Sequence, residues 1–309
     1  MTGRKPKIAE LVFLLLLALC TAGSSRDHRF DALRPFLERV AVDKTVILTQ
    51  ASCPYLDFAE NWILHVEQLG VTNWLTIVDD EIAFNYLDKL FPGHIVHPSV
   101  LFKRPRHTAK AYMHYGSKDF NEMMCERLRI QKHVLEMGFS FMWTDMDSVW
   151  LQDALKFIPR GLDFVGTSDR YRFGHDEEEE LKLCGCTTFW SPSLAARQTL
   201  LRWHEECINS PEDDQVALQK MWMSGVFREN ITWYIMPWQL FPSGGLADRL
   251  RIDYESAHGP DEQSLIPAVV HANYRSGRAQ KHQFLQRHMA WKILPEQTYP
   301  QCEEHVQPI

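Results

Sequence analysis

The chain has 309 residues, with 33 Lys+Arg against 40 Asp+Glu and a net charge of −7. That balance argues against a nucleic-acid binder, which would show a basic face. Hydrophobic residues at 45% and charged residues at 24% describe a globular protein, and 16 Pro with 15 Gly are too few for a low-complexity or fibrous chain.

At the N-terminus, Arg4, Lys5 and Lys7 precede the apolar run Leu11 to Leu19 and the small residues Thr21, Ala22 and Gly23. The run is shorter than the roughly 17–25 residues of a spanning helix, so a cleaved signal peptide is expected, with a short type II anchor as the alternative. Either places the remainder in the secretory pathway, in the Golgi lumen or outside the cell, touching a membrane only through that segment. The expected organisation is a signal or anchor over 1–22, a short stem over 23–43, one domain over 44–295 and a tail over 296–309.

Beyond Cys20, six cysteines remain: Cys53, Cys125, Cys184, Cys186, Cys207 and Cys302. In an oxidising compartment this even count predicts at least two disulfides. Cys184 and Cys186, two apart on extended chain, should point the same way and take different partners. Asn230-Ile231-Thr232 is the single glycosylation sequon.

Strand-like and helix-period segments then alternate. Thr45 to Thr49 reads as a strand, and Phe58, Trp62, Val66 and Leu69 mark a helix stopped by Gly70. Trp74 to Val78 is the next strand, ending in Asp79-Asp80, and Ile82 to Leu90 the next helix. A long helix from Phe120 to Met137 stops at Gly138, and the apolar strand Phe139 to Thr144 follows. Further strands are expected at Phe164–Gly166, Thr187–Trp190, Thr232–Met236 and Ala268–His271, with helices at Leu194–Cys207 and Asp214–Trp222. Trp62, Trp143 and Trp203 fall at core-facing positions. The alternation predicts an α/β fold, a mostly parallel, doubly wound (Rossmann-like) sheet flanked by helices, which binds ligands beyond the carboxyl ends of its strands.

No phosphate loop, dinucleotide G-x-G-x-x-G, H-E-x-x-H or G-x-S-x-G motif is present. What remains is Asp145-Met146-Asp147 at the end of the strand Phe139 to Thr144. On extended chain the two carboxylates face one side, where hard oxygen ligands suit Mg²⁺ or Mn²⁺ and could bridge the ion to a substrate diphosphate. Near the C-terminus, the apolar strand Ala268 to Val270 ends in His271, whose imidazole would favour Mn²⁺ over Mg²⁺. Asp214-Gln215 opens a helix. The run Asp176 to Glu180 reads as a solvated loop, with part of an acceptor lid as the alternative.

Arg127 to Leu151, with its Thr-Asp-Met-Asp-Ser-Val-Trp-Leu, resembles the nucleotide-diphospho-sugar transferase family, whose members include retaining plant cell-wall xylosyl-, arabinosyl- and galactosyltransferases of the GT-A fold. Three further blocks look similar and fall in the same order: Cys184 to Trp190, Asp214 to Leu218, and Val270 to Tyr274 with Gly277 and Lys281. The resemblance implies a single GT-A-like domain, a nucleotide-sugar donor, a divalent cation, a glycan or glycoprotein acceptor and retention at the anomeric carbon. It implies that Asp145 and Asp147 hold the metal and contact the ribose, that His271 completes the metal site, and that Asp214 and Gln215 serve catalysis. It also implies that Arg127 and Lys281 neutralise the diphosphate. Cys184 and Cys186 depart from the small or polar residues of many relatives. Rival readings are a metal-dependent phosphoesterase or glycosidase, and a secreted carbohydrate-binding protein without turnover.

Overall fold

The structure is a computed structural model, and it describes residues 28–101, 115–169, 181–250 and 266–302. The signal or anchor segment and the acidic run Asp176 to Glu180 lie outside the described residues. Among those described, no helix is long and apolar enough to cross a membrane.

In chain order, a 3₁₀ segment His28–Leu33 leads into α1 (Arg34–Val40), β1 (Thr45–Ala51), α2 (Leu56–Gln68), β2 (Trp74–Val78), α3 (Glu81–Leu90) and β3 (Ile95–Val96). Then come α4 (Lys118–Glu136), β4 (Ser140–Thr144), β5 (Ser148–Trp150), β6 (Phe164–Ser168) and β7 (Leu183–Trp190). The chain closes with α5 (Leu194–Ile208), α6 (Asp214–Met223), β8 (Trp233–Ile235), β9 (Val269–His271) and α7 (Gly277–Arg287).

Seven strands form one sheet in the order β3-β2-β1-β4-β7-β6-β8. The β3-β2-β1-β4 half is parallel throughout, whereas β7 runs antiparallel to both β4 and β6. Alternate residues of β1 feed opposite layers: Val46 and Leu48 join the core beneath α1, α4 and α5, while Ile47 joins the core beneath α2 and α3. Burial on both faces explains why these strands read as unbroken apolar runs. Gly138 takes φ +85° directly after α4, a left-handed end that turns the chain into β4.

Two topological features position the site. The chain leaves β1 towards β2 on one side, and β4 lies on the other, so a crevice opens beyond the carboxyl ends of β1 and β4. Past β4, the chain leaves the main sheet. Asp145 to Ser148 form a tight turn, with the Ser148 amide donating to the Asp145 carbonyl at 2.9 Å, and β5 then pairs antiparallel with β9. The extended Asp145-Met146-Asp147 expected from the sequence is therefore a turn. It exists because the chain must reverse into this two-stranded sheet.

Both flanking segments pack onto the domain. Residues 28–40 are not a stem: Phe30, Leu33, Leu37 and Val40 are buried in the core under the main sheet. Part of the tail is fastened too. Cys302 is bonded to Cys53, just after β1, and Tyr299 packs against Tyr86. The second long-range bridge, Cys125–Cys207, ties α4 to α5. Leu37→Ala is expected to cost about 2–5 kcal/mol in equilibrium denaturation, the price of a core cavity. No measurable loss would return this segment to a stem.

Candidate active site

The site is built around charges that cannot stand alone. Arg127, on α4, is only 4% exposed, and Asp214, the first residue of α6, is 2% exposed. The Arg127 Nε donates to Asp214 Oδ2 at 2.6 Å, and its Nη1 donates to Asp145 Oδ1 at 2.9 Å. The Trp143 indole also donates to Asp145 Oδ1, at 3.2 Å. One guanidinium thus ties the end of β4 to the start of α6. Burial, helped by Asp213 and Asp145 and opposed by Arg127, pushes the Asp214 carboxyl up to about 6. The Arg127 guanidinium is held protonated by Asp214 and Asp145 against the cost of its burial.

Asp147 is buried as well, not at an open strand end. Lys281 from α7 donates to its Oδ2, and His271 Nε2 lies 3.4 Å from its Oδ1. Burial works against ionisation here, yet Lys281 and His271 hold the carboxyl well below the usual range. His271 arrives through the small sheet, where it pairs with Ser148. The Ala272 amide donates to the Asp147 carbonyl at 3.0 Å, which fixes the register. Asp145, Asp147 and His271 each offer one ligand atom, all within 4.8 Å of one another. This is a donor set of two carboxylates and one imidazole, suited to Mn²⁺ or Mg²⁺.

Gln215 does not touch that cluster. Its Nε2 donates to Asp169 Oδ2 at 2.9 Å and its Oε1 accepts from the Gly185 amide at 3.2 Å. Asp169 is a site residue that the sequence reading missed. It follows β6 directly and accepts from Asn273 Nδ2 at 2.7 Å and the Tyr274 hydroxyl at 2.9 Å. Burial raises its carboxyl above the ordinary value despite these donors. The signal that would have found it is the one used for Asp145, a carboxylate at the open end of a strand. Trp62 and Trp203 are core residues as expected, whereas Trp143 both fills the core and steadies Asp145.

Cys184 and Cys186 are bonded to each other, contrary to the expectation of separate partners. In regular strand such residues stand roughly 6.6 Å apart at Cα, too far for an easy bridge. Here the β6–β7 register shifts between Gly166 and Thr167, the strand bulges, and the two Cα atoms approach to 5.2 Å. Gly185, between them, lies against the buried ion pair: a Cβ there would sit 3.3 Å from Arg127 Nη2.

These groups surround two adjoining spaces. A cleft of about 730 Å³ is lined by Tyr55, Asp145, Asp169, Gln215, His271 and Lys281 among others. A smaller pocket of about 180 Å³ opens at the ends of β1, β2 and β4, where Gln50, Asp79 and Asp147 face it. Arg127, Asp145 and Lys281 line both. The cluster of Asp145, Asp147 and His271 therefore stands where a ligand spanning the two would pass.

Residues 69–285 match the nucleotide-diphospho-sugar transferase family. The chain belongs to that family. The transferase is 26% identical over 273 residues to UDP-D-xylose:L-fucose alpha-1,3-D-xylosyltransferase of Arabidopsis thaliana, an alignment covering 82% of this chain and 71% of the relative. It is 25% identical over 265 residues to beta-arabinofuranosyltransferase RAY1 of the same plant, covering 77% of this chain and 46% of the relative. Among solved structures, galactosyltransferase LgtC in complex with donor and acceptor sugar analogs aligns at TM-score 0.47 and 12% identity, over 81% of this chain and 97% of that one. The protein is thus a glycosyltransferase that uses nucleotide-sugar donors, which sets aside the phosphoesterase, glycosidase and non-catalytic binding alternatives.

The transferase's Arg127 is expected to be a stability hot spot. Replacing it with Ala leaves Asp214 buried without its counter-charge, which should cost about 3–5 kcal/mol in urea unfolding. A cost below about 1 kcal/mol, typical of an exposed ion pair, would contradict the buried-clamp geometry.

Proposed function

We propose that the protein is a metal-dependent, retaining glycosyltransferase of the secretory pathway, moving a sugar from a nucleoside diphosphate to a glycan or glycoprotein acceptor. The observation that carries this reading is the convergence of Asp145, Asp147 and His271 within 4.8 Å at the junction of the two pockets. Those residues would hold Mn²⁺, or Mg²⁺ less favourably because of the imidazole. The bound ion would offset charge growing on the departing diphosphate.

The protein's own groups divide the remaining work. Arg127 has its guanidinium committed to Asp214 and Asp145, so it positions Asp145 rather than meeting the diphosphate. Lys281, paired with Asp147, lines both pockets and is the cation placed to meet the phosphates. The pocket at the ends of β1, β2 and β4 takes the nucleoside, and the large cleft takes the sugar and acceptor. Asp169 and Gln215, linked at 2.9 Å, line that cleft as a preorganised hydrogen-bonding pair for sugar hydroxyls.

Retention follows the family, and the carboxylates support a front-face displacement. Asp214 is neutralised by Arg127, and Asp169 already accepts from Gln215, Asn273 and Tyr274, so neither is poised to attack an anomeric carbon. The three disulfides among the described residues support an oxidising compartment.

A panel of nucleoside diphosphates and their sugars, followed by thermal shift, tests the metal requirement. The cognate nucleotide should raise Tm with Mn²⁺ present and leave it unmoved in EDTA; equal stabilisation in both would remove the metal from the mechanism. Asp147→Asn keeps the shape and deletes the charge. It should lower transfer roughly a hundredfold, the scale of losing one preorganised electrostatic element, and wild-type turnover would refute the assignment.

A further inference from the structure

The Cys184–Cys186 bridge does little for the stability of the fold. The other two disulfides span sequence separations of 249 and 82, whereas this one spans 2. In the chain-entropy view, a bridge that closes so small a loop removes little freedom from the unfolded chain. Yet it lies at the wall of the reaction cleft, with both sulfurs buried beside His271.

One imidazole faces two donor sets. His271 Nε2 lies 3.4 Å from Asp147 Oδ1, and its Nδ1 lies 4.0 Å from Cys184 Sγ. The ligand atoms of Cys184, Cys186 and His271 fall within 4.8 Å of one another, as do those of Asp145, Asp147 and His271. The first set is soft and the second hard, so they select different cations. A tetrahedral zinc site places thiolate sulfur and imidazole nitrogen about 3.6 Å apart, close to the 4.0 Å between Cys184 Sγ and His271 Nδ1.

We infer that Cys184, Cys186 and His271 form a second metal site, gated by the state of the bridge, for a thiophilic divalent cation such as Zn²⁺. With the bridge intact the sulfurs carry no thiolate charge and the site is closed. A dithiol reductant supplies two electrons and two protons: the Cys184–Cys186 bond breaks, two thiols form, and the reductant leaves as a disulfide. Metal binding then releases both thiol protons to solvent, and the two thiolates balance the dication, as a buried site requires. The fourth position opens to the cleft.

The consequence for catalysis rests on the reading of Asp145, Asp147 and His271 as the Mn²⁺ site. A neutral imidazole has one lone-pair nitrogen. When Nδ1 binds the soft cation, the ring proton moves to Nε2, where it donates to Asp147 and no longer offers a ligand to the hard site. The two sites therefore compete for one side chain.

Co²⁺ is the probe, because thiolate ligation gives it an intense near-ultraviolet charge-transfer absorption. The reduced full chain should develop that absorption, saturating at about one ion per chain and abolished by Zn²⁺, while the oxidised chain shows none. The Cys184→Ser/Cys186→Ser double variant retains the other two disulfides and controls for their opening; it should show no absorption after the same reduction. Absorption that persists in the double variant, or none in a reduced wild-type chain whose circular dichroism is native, overturns the site. Loading the reduced chain with Zn²⁺ should raise the Mn²⁺ needed for half-maximal nucleotide stabilisation roughly tenfold or more. If Mn²⁺-dependent nucleotide binding is normal but the Co²⁺ signal is missing, the second site fails and the transferase reading stands; if Co²⁺ binds but nucleotide never needs Mn²⁺, the reverse holds.

Discussion

Like charges placed together in a buried site must be neutralised, and the organisation of this protein follows from how that is done. Asp145, Asp147 and Asp214 crowd the end of β4, where two carboxylates about 4 Å apart repel by about 4 kcal/mol at the effective dielectric near a protein surface. Arg127 bridges Asp145 to Asp214, and Lys281 pairs with Asp147. The two cations come from α4 and α7, on opposite sides of the acidic turn in sequence. The acidic turn is therefore stable only in the fully assembled fold, where its charges are already paired.

The same constraint explains the path of the C-terminal segment. β9 carries His271 to the turn by pairing with β5, and α7 carries Lys281 to Asp147. Further along, the Asn61 side chain donates to the Ala290 carbonyl at 3.0 Å and accepts from the Lys292 amide at 2.7 Å, and Cys302 is bonded to Cys53. The last described residues thus clasp α2 and the loop after β1. The segment that carries His271 and Lys281 is thereby held to the first strand of the sheet.

Much of this was legible in the residues. Trp74–Val78 is a strand over its expected length, and the helices at Ile82–Leu90, Leu194–Cys207 and Asp214–Trp222 each lie within one residue of the observed ends. Those segments are long and strongly periodic. The readings that failed depend on distant partners. β5, Ser148–Trp150, is too short to show a period and exists only by pairing with Val269–His271. The disulfide between Cys184 and Cys186 depends on a bulge set by register with β6, which no local spacing encodes. The expected stem over 23–43 shows no strand-helix alternation, though within it Leu33 and Leu37 are apolar at helical spacing. At the site, strand-end placement singled out Asp145 and His271, which the fold brings together, whereas the bonds of Arg127 to Asp214 and Asp145 depend on distant elements and left no local signal.

The claim on which the rest depends is that Asp145, Asp147 and His271 act together on one cation. Anomalous diffraction from crystals grown with Mn²⁺ and a nucleoside diphosphate tests it most directly. The expected result is one Mn²⁺ peak with all three side chains at about 2.0–2.2 Å and a diphosphate oxygen completing the sphere. A peak that omits His271, or an ion held by other residues while the nucleotide occupies the cleft, would contradict it.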